Sequence, residues 1–182
     1  MYKRQGKRSL TPFLDYFMFD YCPKCKEEIE TKEDGYVYEC GHCDFLFYNN
    51  PAPATAVILE NDKGEIMFVR RANEPQKGLL DLPGGFVDPG ERAEDGAIRE
   101  LKEELGIDED LDLKFVTSWA NDYPYKGINY KVLDLVFHAK IKQTDFDLDT
   151  SENSELVWIA KDKVPIGELA FYSHKKVFQK LF

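Results

Sequence analysis

A predicted helix with several carboxylates on one face limits the possible folds and functions of this chain more than any other feature of its sequence. The segment "RAEDGAIRELKEELG" carries apolar residues at helical spacing, which are Ala97, Ile98, Leu101 and Leu105. Gly106 ends the segment and suits a helix C-terminal cap. Glu100, Glu103 and Glu104 then share one helical face, where like charges at this spacing repel one another. The pattern leaves two interpretations, a solvated acidic face or a positive group held between the carboxylates.

The composition limits the class of protein. The 182 residues suit one domain of ordinary size with a small appendage, and 43% hydrophobic residues suffice for a core. The 34 acidic residues outnumber the 24 basic ones, which gives a net charge of -10. This balance argues against a general nucleic-acid-binding protein, which would carry a basic face. An anionic substrate would need local basic groups or metal ions to dock.

The sequence predicts no membrane span and no secretion signal. No apolar run approaches the ~20 residues that cross a bilayer. The first stretch, "MYKRQGKRSLTPFLDYFMFDY", lacks the continuous apolar segment and the small-residue cleavage site of a signal peptide. We therefore expect a cytoplasmic protein with an N-terminal extension over residues 1–19.

Two CxxC pairs predict a structural zinc site. They contain all the cysteines of the chain, which are Cys22, Cys25, Cys40 and Cys43. Two such pairs, fourteen residues apart, can hold one zinc ion tetrahedrally through four thiolates. Two disulfides are one rival arrangement, but nothing else in the sequence indicates secretion. A redox CxxC is another, which the second pair at ribbon spacing argues against. His42 is better explained as a turn residue than as a ligand. The spacing predicts a zinc ribbon over residues 20–48, with "YVYEC" as a strand.

The rest of the chain reads as one mixed domain over residues 52–182. Turn-forming residues at 49–53 predict a linker. "TAVILE" and "EIMFVRR" read as strands on either side of the hairpin-type turn "NDKG". "LKFVTSW" and "YKVLDLVFHAKI" read as strands separated by the turn-rich "ANDYPYKG", "SELVWIA" as a further strand, and "HKKVFQKLF" as a closing helix. Val177, Phe178 and Leu181 form the predicted apolar face of that helix.

The acidic helix belongs to a longer pattern, G-x5-E-x7-R-E-U-x-E-E-x-G-U, where U is apolar. Its positions are filled by Gly85, Glu91, Arg99, Glu100, Leu101, Glu103, Glu104, Gly106 and Ile107. This is the complete signature of the Nudix hydrolases, and the segment resembles that family. The resemblance implies an α+β fold, a Nudix α/β/α sandwich with a mixed β-sheet, here preceded by a small zinc ribbon. Gly84 and Gly85 let the backbone pass close to metal or phosphate. Arg99, which we count among the catalytic residues, can pair with Glu91 and hold the loop to the helix.

The resemblance also implies an enzyme, a metal-dependent pyrophosphatase. Three carboxylates on one face suit Mg²⁺ or Mn²⁺, and the match makes Glu103 and Glu104 the principal ligands. Glu100 is a further ligand or the base, and Gly85 lies at the metal and substrate. Many members recruit another glutamate from beyond the signature. We predict Glu155 in this role, with Glu152 second, although an ordinary exposed acid is an equally good interpretation of either.

A zinc ribbon directly ahead of a Nudix domain resembles the NADH pyrophosphatases. Those proteins carry Ser-Gln-Pro-Trp-Pro-Phe-Pro-x-Ser after residues like "VTS", whereas this chain continues "VTSWANDYPYKG". The candidates for substrate binding are Arg70, Trp119, Tyr123 and Tyr125, with Arg71 and Lys77 as further basic groups. The aromatic rings could stack on a base or nicotinamide, although core packing explains Trp119 equally well.

The implied reaction is hydrolysis of the pyrophosphate bond of a nucleoside diphosphate linked to another moiety, with NADH, NAD or ADP-ribose as the leading substrates. One alternative is a non-catalytic Nudix ligand sensor, which the complete set of glutamates argues against. Another is decapping of nucleotide-capped RNA, which the acidic ribbon argues against. The partner is therefore a nucleotide-derived small molecule, with nucleic acid and membrane not expected, and the family resemblance suggests a homodimer.

Overall fold

The computed structural model describes residues 19–32 and 35–181. The chain divides between Asn50 and Pro51 into two compact units. The predicted N-terminal extension, residues 1–19, lies outside the described residues except for Phe19. No helix in the described ranges is long and apolar enough to cross a membrane.

The N-terminal unit is a small antiparallel sheet. Its strands are β1 (Glu30–Lys32), β2 (Val37–Glu39) and β3 (Leu46–Tyr48), in the order β1-β2-β3. β2 lies within the predicted strand "YVYEC", which is confirmed. Tyr38 is 1% exposed and packs edge-on against Phe19 and at a tilt against Phe47. With strands of three residues, this unit has a minimal apolar core.

The C-terminal unit contains one mixed six-stranded sheet and two α-helices. The strands are β4 (Ala52–Glu60), β5 (Glu65–Arg71), β6 (Leu80–Asp81), β7 (Lys114–Tyr125), β8 (Ile128–Lys140) and β9 (Asn153–Ala160), and the helices are α1 (Ala93–Leu105) and α2 (Tyr172–Leu181). The order is β6-β5-β4-β8-β7, with β9 paired to β5. β4 and β8 run parallel, and the other pairs are antiparallel. Two short 3-10 helices, Lys161–Lys163 and Ile166–Glu168, precede α2.

The sheet is covered on both faces, which explains why its inner strands are apolar at successive positions. In β4, Val57 and Leu59 pack on the α1 side, and Ala56 and Ile58 pack on the α2 side. α1 contributes buried residues Ala97, Leu101 and Leu105, and α2 contributes Val177 and Phe178. The predicted α/β/α sandwich is confirmed. Two predicted apolar positions are exposed instead, Ile98 at 37% and Leu181 at 42%.

The segment "ANDYPYKG" is strand rather than the predicted loop. β7 continues through Tyr125, and only Lys126 and Gly127 turn the chain, both with positive φ (48° and 84°), as a two-residue hairpin requires. β7 lies at the edge of the sheet order, where a proline is tolerated. Cross-strand pairing of Tyr123 with Tyr130 favours extension of the hairpin. The predicted aromatic side chains therefore project from a strand.

Candidate active site and structural metal centre

The four cysteine sulfurs form a ligand cage. The Sγ atoms lie within 4.8 Å of one another, with 3.7 Å between Cys22 and Cys43 and 3.5 Å between Cys25 and Cys40. A tetrahedron with Zn–S bonds of ~2.3 Å has sulfurs about 3.8 Å apart, so the arrangement fits zinc. None of the four thiols is in a disulfide. His42 donates its backbone N–H to the Cys40 sulfur at 3.4 Å, and its ring is not part of the cage.

Two glycines carry the loop that precedes α1 close to its neighbours. Gly84 has φ +138°, and a Cβ there would lie 2.4 Å from the Thr55 carbonyl oxygen. A Cβ on Gly85 would lie 2.5 Å from the Glu100 carboxyl carbon. The Gly85 carbonyl accepts the Thr55 N–H at 2.7 Å and the Thr55 hydroxyl at 3.3 Å. Gly85 thus makes room for the Glu100 carboxylate, and its own role as a metal ligand stays a prediction.

Arg99 fastens this loop to the helix. Its guanidinium donates to both oxygens of Glu91, at 2.8 and 3.3 Å, and to the Phe86 carbonyl at 3.0 Å. The predicted pairing of Arg99 with Glu91 is confirmed. The same group donates to Glu100 at 2.8 Å and to Glu103 at 3.2 Å. Arg99 therefore supplies the positive charge between two of the crowded glutamates.

Glu104 lies on the inner side of the helix and is only 8% exposed. Its Oε2 accepts the Gly84 N–H at 3.0 Å, and its Oε1 accepts the side-chain amide of Asn153 at 3.1 Å. Burial raises the pKa of Glu104 to about 8, although these two hydrogen bonds act against it. Burial likewise raises the pKa of Glu100 above its ordinary value. Each Glu104 oxygen keeps a second lone pair available for a ligand.

The position of the three glutamates on one helical face predicts that their carboxylates converge on one point. In the structure they do not converge. Among the residues that the structure describes, the cysteine cage is the one group of three or more potential ligands within mutual reach. Glu100 and Glu103 turn toward Arg99, and Glu104 turns toward Gly84 and Asn153. A shared cation would therefore require side-chain rotation, which is open to Glu103 because its side chain is 60% exposed.

The two candidate bases occupy different surroundings. Glu155 pairs with Arg70 at 2.9 Å, so the predicted catalytic glutamate and a predicted substrate-binding residue contact each other. Arg70 also donates to the Gly78 carbonyl at 2.8 Å. Glu152 is exposed, and its charge contributes to the raised pKa of Glu100. Glu152 also directly precedes Asn153, whose side-chain amide donates to Glu104, and this position beside a helix glutamate favours Glu152.

The predicted aromatic residues separate into a cluster and a core residue. The Tyr123 ring stacks on Phe171 at 5.7 Å and meets Phe86 edge-on at 5.7 Å. Phe86 directly follows Gly85 and is 44% exposed, which places an accessible ring beside the signature loop. Trp119 instead packs against the core on the α2 side. Neither Phe86 nor Phe171 was selected from the sequence, because Phe86 fills an unspecified position of the signature and Phe171 lies outside it.

An open pocket adjoins this aromatic cluster. It has a volume of about 650 Å³ and lies between the segment after β5 and the tip of the β7–β8 hairpin. Its walls include the predicted residues Tyr125 and Lys77, together with Lys126, whose ammonium lies 5.0 Å from the Tyr125 ring centre. Arg71 is not on the pocket wall; it pairs with the buried Asp81 at 2.8 Å. The pocket offers aromatic and cationic groups together.

The two loop glycines give a first prediction. Gly84→Ala places a methyl group against rigid backbone at a positive φ, so we expect a loss of about 2 kcal/mol or more in the free energy of unfolding. Gly85→Ala meets a movable side chain, so its stability loss should be smaller while activity falls because Glu100 is displaced. Urea unfolding and steady-state kinetics measure the two effects. Equal stability losses in both variants would contradict the assignment.

Comparison with known proteins agrees with this geometry. The family model for the NUDIX domain matches residues 50–181. The chain is 28% identical over 145 residues to the NAD-capped RNA hydrolase NudC of Edwardsiella ictaluri, an alignment that covers 80% of this chain and 53% of that protein. It is 44% identical over 63 residues to the ADP-ribose pyrophosphatase of Methanocaldococcus jannaschii, over 35% of this chain and 37% of that protein. The chain thus spans about half the length, or less, of these relatives.

A solved structure extends the likeness in fold. The NUDIX hydrolase from Nitrosomonas europaea superposes with a TM-score of 0.63 at 24% identity, covering 90% of this chain and 92% of that one. The family model covers well over half of the chain, and the defined positions of the signature lie on the loop before α1, on α1 itself, and on the two residues that follow it. The chain therefore belongs to the Nudix hydrolase family.

Proposed function

We propose that this protein is a Mg²⁺- or Mn²⁺-dependent pyrophosphatase that cleaves a nucleoside diphosphate linked to another moiety. The observation that carries the proposal is the way the signature loop is fixed over the acidic helix. Arg99 joins Glu91 to Glu100 and Glu103, and Gly84 donates its N–H to Glu104. A solvated acidic face needs no such loop.

The donor set fits a hard divalent cation. Glu100, Glu103 and Glu104 offer carboxylate oxygens, which Mg²⁺ and Mn²⁺ prefer, and the absent side chain of Gly85 leaves space beside Glu100. When bound there, such a cation would polarise phosphoryl oxygens and activate a water molecule. Arg99 offsets the repulsion between Glu100 and Glu103 before binding. The cysteine cage is closed by four thiolates, so a zinc ion there is structural.

Deprotonation of the attacking water needs a base within reach of it. Glu155 and Glu152 are the candidates, and Glu100 is the third. The ion pair with Arg70 occupies one oxygen of Glu155 at 2.9 Å, whereas the charge of Glu152 already acts on Glu100. We therefore expect Glu152→Gln to lower kcat more than Glu155→Gln, in a range of about 10²-fold or more for a true base. Parallel kinetics of both variants test this, and a larger loss in Glu155→Gln would restore the order that the sequence suggested.

The substrate is proposed from the relatives and from the aromatic cluster. NADH, NAD and ADP-ribose are the leading compounds, because each combines a pyrophosphate with ring systems that aromatic side chains can bind. Phe86 and Tyr123 provide rings next to the signature loop, and Tyr125 provides another at the open pocket. Trp119 is not assigned to this surface because it is partly buried and packs against the core on the α2 side.

Capped RNA is a second candidate, favoured by one observation. The NudC relative, matched over 80% of this chain, is named as an NAD-capped RNA hydrolase. The net charge of -10 argues against extensive phosphate contacts. A non-catalytic sensor is not favoured, because all the signature glutamates are present. A homodimer and a cytoplasmic location stay predictions.

A substrate panel tests the proposal. Purified protein with Mg²⁺ is offered NADH, NAD, ADP-ribose and NAD-capped RNA, and the release of mononucleotide products is measured. We expect hydrolysis of at least one dinucleotide or ADP-ribose, with slower decapping. If none of the four compounds is hydrolysed with either Mg²⁺ or Mn²⁺, the pyrophosphatase assignment is contradicted.

Tyr123 gives a further prediction for the substrate surface. Tyr123→Ala should raise KM more than it lowers kcat, since stacking is felt in the ground and transition states alike. Tyr172→Ala is the matched control, because this tyrosine is 57% exposed at the start of α2 and its ring lies under Lys176. If Tyr123→Ala leaves the KM of every active substrate unchanged, the aromatic residues of β7 do not bind substrate.

A further inference from the structure

We propose that Asn153 is a positioning residue that orients Glu104 for metal binding, and this inference rests on the proposed function. Asn153 is 3% exposed and donates its side-chain amide to Glu104 Oε1 at 3.1 Å. The Gly84 N–H fixes the other oxygen at 3.0 Å. The two donors determine the plane of the carboxylate, while each oxygen keeps a lone pair for a cation.

A tight turn holds Asn153 in this place. The Asp149 carbonyl accepts the backbone N–H groups of Glu152 and Asn153, at 3.3 and 3.0 Å. The Asp149 N–H in turn donates to the Glu104 carbonyl at 2.8 Å. One turn therefore contacts Glu104 at two points, through its backbone and through the Asn153 side chain.

A β-bulge turns Asn153 toward the helix. Along β9, Leu156 and Trp158 pack on the α1 side, and Val157 packs on the α2 side. Strict alternation would direct Asn153 to the α2 side, away from Glu104. The pairing of β9 with β5 shifts at this point, since Glu155 lies opposite Arg70 and Asn153 lies opposite Arg71. The residue between them is extra, and bulges commonly re-aim a side chain in this way.

The placement is specific to an amide donor. Glu104 is only 8% exposed, so water can replace few of the hydrogen bonds that its carboxylate loses. An apolar residue with the same branching, such as leucine, would occupy the space but leave Oε1 without a donor. We therefore expect Asn153 variants to change how Glu104 binds a cation, with a smaller effect on the fold. Partners in the outer shell of a metal site typically change affinity about 10- to 100-fold.

The test measures Mn²⁺ affinity of the full chain by electron paramagnetic resonance, without substrate. Asn153→Leu keeps the branching and the number of side-chain heavy atoms and removes the donor, and Asn153→Ala serves if the larger leucine perturbs folding. Asn73→Ala is the matched control, because Asn73 donates to the Ser151 carbonyl of the same turn and not to Glu104. We expect weaker Mn²⁺ binding in the Asn153 variants by about 10-fold or more, and wild-type affinity in Asn73→Ala.

A double-mutant cycle with Glu104→Gln separates positioning from structure. If Asn153 acts through Glu104, adding Asn153→Leu to Glu104→Gln should weaken Mn²⁺ binding no further. Additive losses, unchanged affinity in the single variants, or unfolding of both Asn153 variants would each overturn the inference. If Glu104→Gln itself leaves Mn²⁺ affinity unchanged, the metal assignment fails as well. A loss in Glu104→Gln with none in the Asn153 variants overturns this inference alone.

Discussion

Glu104→Gln should lower kcat by at least about a hundredfold and shift the Mg²⁺ midpoint to higher concentration. Glutamine keeps the length of the side chain but removes a negative ligand, and even outer-shell partners of a metal site are worth ~10–100-fold. Kinetics across a Mg²⁺ titration, with the best substrate of the panel, measure both effects. Glu94→Gln is the control, because it neutralises a carboxylate on the first turn of the same helix. Hydrolysis at the wild-type rate with an unchanged midpoint would contradict the metal assignment.

The same variant should change how stability depends on pH in the metal-free protein. Burial raises the pKa of Glu104 from 4.5 to about 8, so the folded state binds more protons than the unfolded state between these values. The contribution of Glu104 to stability is therefore fully present below pH 4.5 and is lost as the pH rises through about 8. The loss is on the order of a few kcal/mol. Glu104→Gln removes this dependence of stability on pH. It also replaces one acceptor oxygen, and the lost hydrogen bond is worth about 1 kcal/mol.

Urea unfolding of both proteins at pH 5 and pH 8.5, with a chelator present, measures this difference. The wild type should lose more stability than Glu104→Gln between the two pH values. Other groups titrate in both proteins, so the comparison isolates the contribution of Glu104. The same loss in both proteins would show that the Glu104 carboxyl titrates normally.

The signature loop and helix could be predicted because their geometry is set by local spacing. The i, i+3 and i+4 positions put Glu100, Glu103 and Glu104 on one turn wherever the helix packs, and Gly106 caps the helix with φ 63°. Spacing does not determine where each side chain turns. Arg99 attracts Glu100 and Glu103, while two hydrogen-bond donors attract Glu104, so the expected convergence is absent.

Features that depend on strand pairing were not predictable in this way. "ANDYPYKG" has the composition of a turn, yet pairing with β8 makes most of it strand. Asn153 resembles any loop-end asparagine until the bulge directs it to the α1 side of the sheet. Glu155 and Arg70 are far apart in the sequence, and their ion pair follows from the register of β5 and β9. Each of these depends on residues distant along the chain.

Loss of the cysteine cage should unfold the N-terminal unit. Purified protein should contain about one zinc per chain, and Cys40→Ser should lose it, because three thiolates hold zinc much less tightly than four. Zinc contributes ~10–16 kcal/mol of apparent free energy in small zinc domains. The fully buried Tyr38 and a few aromatic neighbours cannot replace that contribution in a unit with three-residue strands.

Zinc content by atomic absorption and hydrogen exchange of the β2 amides measure these effects together. In Cys40→Ser the β2 amides should exchange rapidly, while pyrophosphatase activity should be largely retained, because the signature residues belong to the separate C-terminal unit. His42→Ala is the matched control, since its ring lies outside the cage and its backbone N–H to Cys40 is kept. Disulfides in protein kept under cytosol-like reduction, or full zinc content in Cys40→Ser, would contradict the structural zinc site.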